Sequence, residues 1–277
     1  MRTTHLFSDP SDLLGVMGLF SPEKATPVEP YEALARIYDQ VMLHVDYMAW
    51  ARFSLDFLGE HGLWNTLSEP PRILECACGT GELALLIARY NIQIDAFDRS
   101  PAMIEMARKK AAGLDDPPRF FVGSFESFQA DPPYDAAICL YDSINYLLEA
   151  SEVVSFLRRL SQVMQPDGLI LFDICTEANS VLHFSDRSDR ESGVGYRYVR
   201  TMKYDREQRI QENVFEINLK GVASPFFERH QQRIYPIAEI ERCIEAAGLV
   251  VVEATDAMER KVPTEASLRV HFLVKKK

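Results

Sequence analysis

Residues 72–90 read Arg-Ile-Leu-Glu-Cys-Ala-Cys-Gly-Thr-Gly-Glu-Leu-Ala-Leu-Leu-Ile-Ala-Arg-Tyr. The apolar start of this stretch predicts a β-strand, and Gly79 and Gly81 predict a tight turn. Leu83 and Ile87 then follow at helical spacing. Glycine permits positive φ and close approach of a ligand, and the free amides that open a helix point into the same space. The stretch therefore predicts a strand, turn and helix that hold part of a nucleotide, although a plain strand-to-helix connection can use the same glycines.

A carboxylate, Asp98, follows the glycines at the separation in sequence expected of a nucleotide-binding motif. Asp98 ends the next apolar run, residues 92–97, and lies close to the expected ~20 residues beyond the glycines. A carboxylate there can accept hydrogen bonds from both ribose hydroxyls. It could instead cap the following helix, but Ser100 followed by Pro101 suits that role better. The two features predict an adenosine-containing cofactor and leave a nicotinamide dinucleotide and S-adenosylmethionine open.

The rest of the chain alternates strands with helices. Residues 119–122, 135–140, 169–174 and 249–254 predict strands, with helical stretches between most of them. Such alternation predicts a parallel sheet covered by helices on both faces. The final run, residues 268–274, follows no covering helix, so we expect it to be antiparallel. We therefore predict an α/β protein with a Rossmann-like, mostly parallel seven-stranded sheet whose last strand is antiparallel.

Residues 179–235 interrupt this alternation. Their β-prone runs, residues 195–204, 209–219 and 226–235, predict an antiparallel meander inserted after the fifth strand, where it can lie over the mouth of the site. The proline-rich residues 1–30 predict an irregular arm. The expected division is an arm (1–30), a cofactor-binding core (31–178 and 236–277) and a β insert that acts as a lid (179–235).

Several motifs resemble those of a known family. Glu75-Cys-Ala-Cys-Gly-Thr-Gly81 resembles the first motif of class I S-adenosylmethionine-dependent methyltransferases, with Ala77 in place of the first glycine. Three further segments are similar to a bacterial branch of small-molecule methyltransferases: Tyr141-Asp-Ser-Ile-Asn-Tyr-Leu-Leu148, Gln165-Pro-Asp-Gly168 and His230-Gln-Gln-Arg-Ile-Tyr-Pro236.

The resemblance extends from about residue 31 to the C-terminus. It implies S-adenosyl-L-methionine as cofactor and methyl transfer to a small-molecule acceptor, with nitrogen, oxygen and carboxylate acceptors all open. The antiparallel last strand matches the methyltransferase sheet and disfavours a dehydrogenase. A cofactor-binding protein without turnover and an NAD-linked oxidoreductase are the alternatives.

We expect the cofactor at the carboxyl ends of the strands, where ligands of such sheets lie. By chain position, Ser124 and Phe125 fall near the adenine, and Leu140 and Tyr141 near the point of methyl transfer. In the resembling methyltransferases, helices before the first strand close the cofactor cleft, and a tyrosine reaches the methionine end. The expected cofactor-binding residues are Tyr31, Glu75, Ala77, Cys78, Gly79, Gly81, Asp98, Arg99, Met103, Ser124, Phe125, Leu140 and Tyr141.

Methyl transfer from a sulfonium requires mainly alignment of the acceptor and exclusion of water. An acceptor that arrives protonated also needs a base. Tyr38, Asp142 and His230 are the candidate catalytic residues. Tyr38 can equally pack within a helical stripe that spans residues 31–42, and His230 can equally be a hydrogen-bonded structural histidine.

Substrate contacts are expected from Asn145, Tyr146 and Arg233, although Asn145 and Tyr146 can instead fix their loop by hydrogen bonds. The insert also carries arginines that would suit a carboxylate on the acceptor, unless they form a solvated face. These arginines are Arg197, Arg200, Arg229 and Arg233.

Composition narrows the class of protein. The 277 residues are 47% hydrophobic, enough for one core with an insert, and the net charge of -11 argues against a nucleic-acid partner. The five cysteines form no Cys-x-x-Cys pair, which fits a reducing compartment. No apolar run reaches the ~20 residues of a membrane span, and the first residues lack a signal-peptide pattern. We therefore expect a cytoplasmic protein with a small-molecule substrate, no membrane partner and no metal, and the sequence leaves a homodimer open.

Overall fold

The computed structural model describes residues 25–65, 70–131 and 133–277, so the predicted arm lies largely outside the described residues. The α-helices are α1 Tyr38–Val41, α2 Tyr47–Glu60, α3 Glu82–Ile87, α4 Pro101–Ala111, α5 Ala150–Gln162, α6 Glu177–His183 and α7 Ile237–Ala246. The strands are β1 Thr26–Pro27, β2 Arg72–Cys76, β3 Gln93–Asp98, β4 Arg119–Val122, β5 Tyr134–Cys139, β6 Met164–Cys175, β7 Arg187–Gly193, β8 Tyr196–Asp205, β9 Ile210–Leu219, β10 Phe226–Arg233, β11 Leu249–Asp256 and β12 Arg269–Lys276.

The larger sheet has seven strands in the order β11-β12-β6-β5-β2-β3-β4. Strands β2 to β6 pair in parallel, and β12 runs antiparallel between β6 and β11. The predicted fold class is confirmed, including the antiparallel last strand.

Helices cover both faces of this sheet. On one face, Phe156 and Leu160 of α5 pack with Ile244 of α7 against the strands. On the other, helices α2, α3 and α4 contribute Phe57 and Leu83 among other apolar side chains. Because both faces are buried, the carboxyl ends of the parallel strands are the edge at which a ligand can enter.

A second sheet of five described strands has the order β1-β10-β9-β8-β7. The three runs predicted in the insert form β8, β9 and β10, which pair antiparallel, and β1 joins β10 in parallel. Strand β7 was not predicted, because its sequence, Arg-Ser-Asp-Arg-Glu-Ser-Gly, has no apolar alternation. It is a largely exposed strand at the sheet edge that is held by antiparallel pairing with β8. Helix α6, between β6 and β7, was also not predicted.

Strand register sets which side chains share the inner face of this second sheet. Arg200 lies opposite Phe215, and Phe215 lies opposite Glu228. In the next row Asn213 lies opposite His230. Since side chains alternate between the faces of a strand, these residues of three separate strands face the same side.

The segment before the first parallel strand differs from the single helical stripe predicted over residues 31–42. A 3₁₀ turn, Leu34–Arg36, is followed by the one-turn helix α1. The Glu228 carboxylate accepts hydrogen bonds from the backbone amides of Tyr31 (2.8 Å), Ala33 (2.6 Å) and Leu34 (2.8 Å). These bonds fix the start of the segment to the second sheet, and Tyr31 itself takes a positive φ of 65°.

Within the described residues, no helix is long and apolar enough to cross a membrane. The same residues contain no group of histidines, cysteines and carboxylates arranged to hold a metal ion. All five cysteines are free and buried.

Candidate active site

The turn between β2 and α3 has two differently exposed glycines. Ala77, Gly79 and Gly81 have positive φ values of 56°, 55° and 78°. A Cβ added to Gly79 would lie 3.8 Å from the ring of Tyr38, whereas one added to Gly81 would lie 2.7 Å from the ring of Phe120. Gly79 therefore faces the open side of the turn, and Gly81 faces the packed interior.

Two buried carboxylates lie beside this turn. Asp98 accepts hydrogen bonds from the amides of Gly79 (2.9 Å) and Ser100 (2.8 Å), and burial raises its pKa although these bonds oppose the shift. Ser100 caps α4 by accepting a bond from the Met103 amide, as predicted. Burial, and then the charge of Asp98, raise the pKa of Glu75 to about 8. Glu75 Oε2 has no hydrogen-bond partner among the described residues.

A cavity of about 740 Å³ connects the glycine turn to the inner face of the second sheet. All but one of the residues expected to bind the cofactor line it, the exception being Gly81. Those that line it are Tyr31, Glu75, Ala77, Cys78, Gly79, Asp98, Arg99, Met103, Ser124, Phe125, Leu140 and Tyr141. The three candidate catalytic residues, Tyr38, Asp142 and His230, line the same cavity, as does Tyr146.

Asn145 and Arg233 are placed elsewhere. The Asn145 amide donates to the carbonyl of Arg233 (2.7 Å) and accepts from the amide of Cys175 (3.1 Å), so it joins β6 to β10. The Arg233 guanidinium donates to Glu239 (2.8 Å) and stacks on the ring of Tyr235. The structure therefore does not bring either expected substrate contact to the cavity, and Arg233 faces away because it is an odd number of residues from His230.

A chain of hydrogen bonds links four side chains from three parts of the sequence. His230 Nε2 lies 3.0 Å from Glu228 Oε2, and His230 Nδ1 lies 3.1 Å from the Tyr146 hydroxyl. The Tyr146 hydroxyl in turn lies 2.5 Å from that of Tyr31. The Tyr31 ring also packs edge-on against the His230 imidazole, with centroids 4.6 Å apart.

Burial and charge define the proton positions in this chain. Glu228 is fully buried, and its carboxyl group accepts hydrogen bonds from three backbone amides. An acceptor oxygen of Glu228 beside Nε2 suits the tautomer that carries its proton on Nε2, and in that tautomer Nδ1 can accept the Tyr146 O–H. Burial raises the pKa of both Tyr31 and Tyr146, so their hydroxyls are protonated donors. His230 is 2% exposed, and its imidazole is oriented by contacts at both ring nitrogens.

Asp142 has different surroundings. Its carboxylate pairs with Arg269 (2.6 Å) and accepts a hydrogen bond from Gln232 (2.6 Å). Arg269 also pairs with the buried Asp173. Burial raises the pKa of Asp142, while Arg269 acts in the opposite direction. Because both oxygens of Asp142 are engaged, its geometry suits positioning of the loop after β5 better than removal of a proton.

The structure adds cavity residues that the motifs did not indicate. Glu228 and Gln232 flank His230 at alternating positions of β10, and this period of two was a usable signal for a shared face. The sequence of α2 had no comparable pattern to show which of its aromatic side chains line the cavity. The added residues include Tyr47, Trp50, Tyr198, Asn213, Phe215, Gln232 and Arg269 along the wall, and Glu228 behind His230. Of the four arginines expected to suit a carboxylate, Arg200 lines the cavity.

Comparison with known proteins agrees with this geometry. The family model described as a methyltransferase domain matches residues 73–168, which include the glycine turn. A protein of Geobacillus sp. (strain WCH70) named "Putative methyltransferase GWCH70_2453" is 30% identical over 251 residues, covering 89% of this chain and 99% of that protein. "Putative methyltransferase YqeM" of Bacillus subtilis (strain 168) is 26% identical, covering 89% of this chain and 97% of that protein.

A crystal structure of an S-adenosylmethionine-dependent methyltransferase from Clostridium acetobutylicum superposes with a TM-score of 0.74 at 21% identity. The superposition covers 88% of this chain and 97% of the Clostridium chain. The chain belongs to the class I S-adenosylmethionine-dependent methyltransferase family.

Proposed function

We propose that this methyltransferase transfers the methyl group of S-adenosylmethionine to a nitrogen or oxygen, carboxylate oxygen included, of a small-molecule acceptor. The observation that carries the proposal is the continuous cavity between the two sheets. One part of its wall is the glycine turn with Glu75 and Asp98, and another part is Tyr146 and His230. A cofactor and a small acceptor can therefore share one cavity, which is what direct transfer between them requires.

The residues at the turn fit the cofactor. Glu75 Oε2, buried and without a partner among the described residues, suits the ammonium group of the methionine part. Asp98 suits the ribose hydroxyls, and a ligand can approach the backbone at Gly79 without a side chain in the way. Ser124 and Phe125 stand at the end of β4, where the adenine is expected. S-adenosylmethionine supplies, when bound, a methyl group already activated by the positive charge on sulfur.

The hydrogen-bonded chain suits the removal of a proton from the acceptor. The Tyr31 and Tyr146 hydroxyls line the cavity, and His230 Nδ1 lies behind them as the proton acceptor. A proton that leaves the acceptor passes to a tyrosine hydroxyl of this hydrogen-bonded chain. At the other end of the chain, the Tyr146 hydroxyl gives its proton to His230 Nδ1. Glu228 then balances the positive charge of the imidazolium, as the third member of a triad does.

We assign residues 179–235 the role of a lid over residues 31–178 and 236–277. The inner face of the second sheet forms one wall of the cavity through side chains of β8, β9 and β10. Glu228 ties this sheet to the backbone of residues 31–34, and Tyr31 and Leu34 line the same cavity. Such a cover supports the exclusion of water around the reacting groups.

A methyl-transfer assay tests the proposal. The protein is incubated with S-adenosylmethionine carrying a tritiated methyl group and a panel of amine, hydroxyl and carboxylate metabolites. Parallel titrations measure the affinities of S-adenosylhomocysteine and NAD. We expect binding of S-adenosylhomocysteine, no binding of NAD, and labelling of at least one small acceptor, with Gly79→Val as the inactive control. Tight S-adenosylhomocysteine binding without any labelled product would instead support a binding protein without turnover.

A further inference from the structure

The cavity contains the guanidinium of Arg200, which is fixed in place and forms no ion pair with any described residue. Arg200 Nε and Nη2 donate to Asn213 Oδ1 at 3.1 and 2.8 Å. The guanidinium also lies over the rings of Phe184 and Phe215, 5.2 and 5.4 Å from their centroids. Two rings and one amide thus hold its plane, and the edge formed by Nη1 and the second hydrogen of Nη2 is left for another acceptor.

No carboxylate of the described residues forms an ion pair with Arg200. Other arginines of this part of the chain do have such partners, since Arg229 pairs with Glu212 and Arg269 with two aspartates. Asp189 lies opposite Arg200 on β7 but is exposed and outside ion-pair distance. A half-buried guanidinium with an open hydrogen-bonding edge is a binding site for an anionic group.

The place of Arg200 relative to the proton-accepting chain defines what can bind there. Phe215 is on β9, between Arg200 of β8 and His230 of β10 in the sheet order, and its ring centroid lies 5.4 Å from the Arg200 guanidinium and 5.3 Å from the His230 ring centroid. An anionic group at Arg200 is therefore separated from His230 by the width of an aromatic ring. The acceptor atom and the anionic group must belong to different ends of the same molecule.

We propose that Arg200 binds a carboxylate of the acceptor, remote from the atom that is methylated. This inference rests on the proposed function and specifies the substrate class of the same site. A carboxylate, with one negative charge, fits better than a phosphate dianion, because Asp189 and Glu191 also line the cavity. The acceptor is thus a small amino or hydroxy acid with a spacer between its two functional groups.

Matched fragment pairs test the proposal directly. Benzoate, phenylacetate, 3-phenylpropionate and 4-phenylbutyrate are each compared with the corresponding carboxamide by ligand-observed NMR, with S-adenosylhomocysteine saturating the cofactor half. We expect at least one carboxylate to bind ~10-fold more tightly than its carboxamide, since a charge-assisted bond is stronger than a neutral one. In Arg200→Gln the two members of that pair should bind equally, with S-adenosylhomocysteine affinity unchanged.

Arg197→Gln is the matched control. Arg197 is exposed on the opposite face of β8, so its loss should leave the carboxylate preference intact. The proposal is overturned if the wild-type protein binds the carboxylate and the carboxamide of every pair equally. It is also overturned if the protein binds neither member of any pair. Tighter binding of phenyl phosphate than of benzoate overturns it too. If S-adenosylhomocysteine binds normally in the same sample, such a result contradicts only the carboxylate assignment. If S-adenosylhomocysteine does not bind, the result contradicts the proposed function itself.

Discussion

At the scale of single residues, Glu75 combines a buried carboxylate with an unsatisfied oxygen. Its pKa of about 8 in the fold compares with 4.5 for an unperturbed glutamate. Between these values the folded protein holds a proton that the unfolded chain has lost, so this group makes the protein less stable as pH rises from about 4.5 to about 8. A cationic group that binds beside the carboxylate offsets this loss of stability, because it favours the ionised form.

Glu75→Gln tests this linkage. In the wild type, binding of S-adenosylhomocysteine at pH 7 should release about one proton, because its ammonium favours ionised Glu75. The variant should release none and bind more weakly, while the stability of the free protein should increase at pH 8 and not at pH 4. Calorimetric titration in buffers of different ionisation enthalpy measures the proton, and thermal unfolding measures the stability. Equal proton release by variant and wild type would assign the proton to another group.

Ala77 occupies a left-handed conformation that glycine adopts more easily. With φ at 56°, an alanine is strained by ~1 kcal/mol or more relative to glycine. This strain offsets the stability that alanine gains over glycine because its unfolded chain has less conformational entropy.

Ala77→Gly should therefore keep S-adenosylhomocysteine affinity and raise stability by up to ~1 kcal/mol. Ala84→Gly, inside helix α3, is the control and should lower stability by ~1 kcal/mol. A loss of stability in both variants, measured by denaturant unfolding, would mean that the Ala77 methyl group contributes packing that outweighs the strain.

At the scale of structural elements, the strand, turn and helix of residues 72–87 separate ligand contact from packing. Gly79 faces Tyr38 and the cavity, whereas Gly81 begins α3 with its Cα against Phe120 and Ala107. The two glycines of one motif therefore serve different purposes, although the sequence alone predicts the same role for both.

Valine substitutions should separate these roles. Gly79→Val should weaken S-adenosylhomocysteine binding by ~10-fold or more with a smaller loss of stability, because the side chain would project toward the ligand. Gly81→Val should mainly destabilise the fold, by ~3 kcal/mol or more, because its side chain would overlap the Phe120 ring. Thermal unfolding and titration of each variant give both quantities. The reverse pattern, with Gly81→Val stable but unable to bind, would mean that the turn presents its other face to the ligand.

The sequence predicted elements well where their signal is local. The inner parallel strands are largely apolar because both of their faces are buried. The antiparallel last strand was predicted because no helix precedes it to make a parallel crossover. Strand β7 escaped prediction because it gains its structure from backbone pairing with β8 rather than from its own side chains. The segment after Tyr31 was predicted as one helix, but its first amides bond to Glu228, 194 to 197 residues away. No local pattern encodes such a partner.

At the scale of the whole molecule, the two sheets contribute different parts of the site. The part of the cavity that we propose for the cofactor was predictable as a cluster, because a short motif and the next strand end supply much of its wall. The acceptor side was only partly predictable, because Arg200, Asn213 and Phe215 come together through strand register rather than sequence spacing. His230 was identified as a candidate, and the alternation along β10 could have placed Glu228 on the same face, but the bonds of Glu228 to the amides of residues 31–34 follow only from the fold.

This division predicts that cofactor binding and methyl transfer can be separated by one substitution. His230 lines the cavity on the second sheet, while the carboxylates and glycine turn of the cofactor half belong to the first. Gln231 is the control, because it is adjacent in sequence but exposed on the outer face of β10.

The most direct measurement is the single-turnover rate of methyl transfer by His230→Ala, Gln231→Ala and the wild type, with the acceptor found by the panel at saturation, across pH 6 to 9. S-adenosylhomocysteine affinity is measured on the same preparations. We predict that His230→Ala keeps the affinity and loses ~100-fold or more of the rate, the usual effect of removing a positioned base, while Gln231→Ala matches the wild type. Equal rates for His230→Ala and wild type throughout this pH range would contradict a role for the second sheet in proton removal.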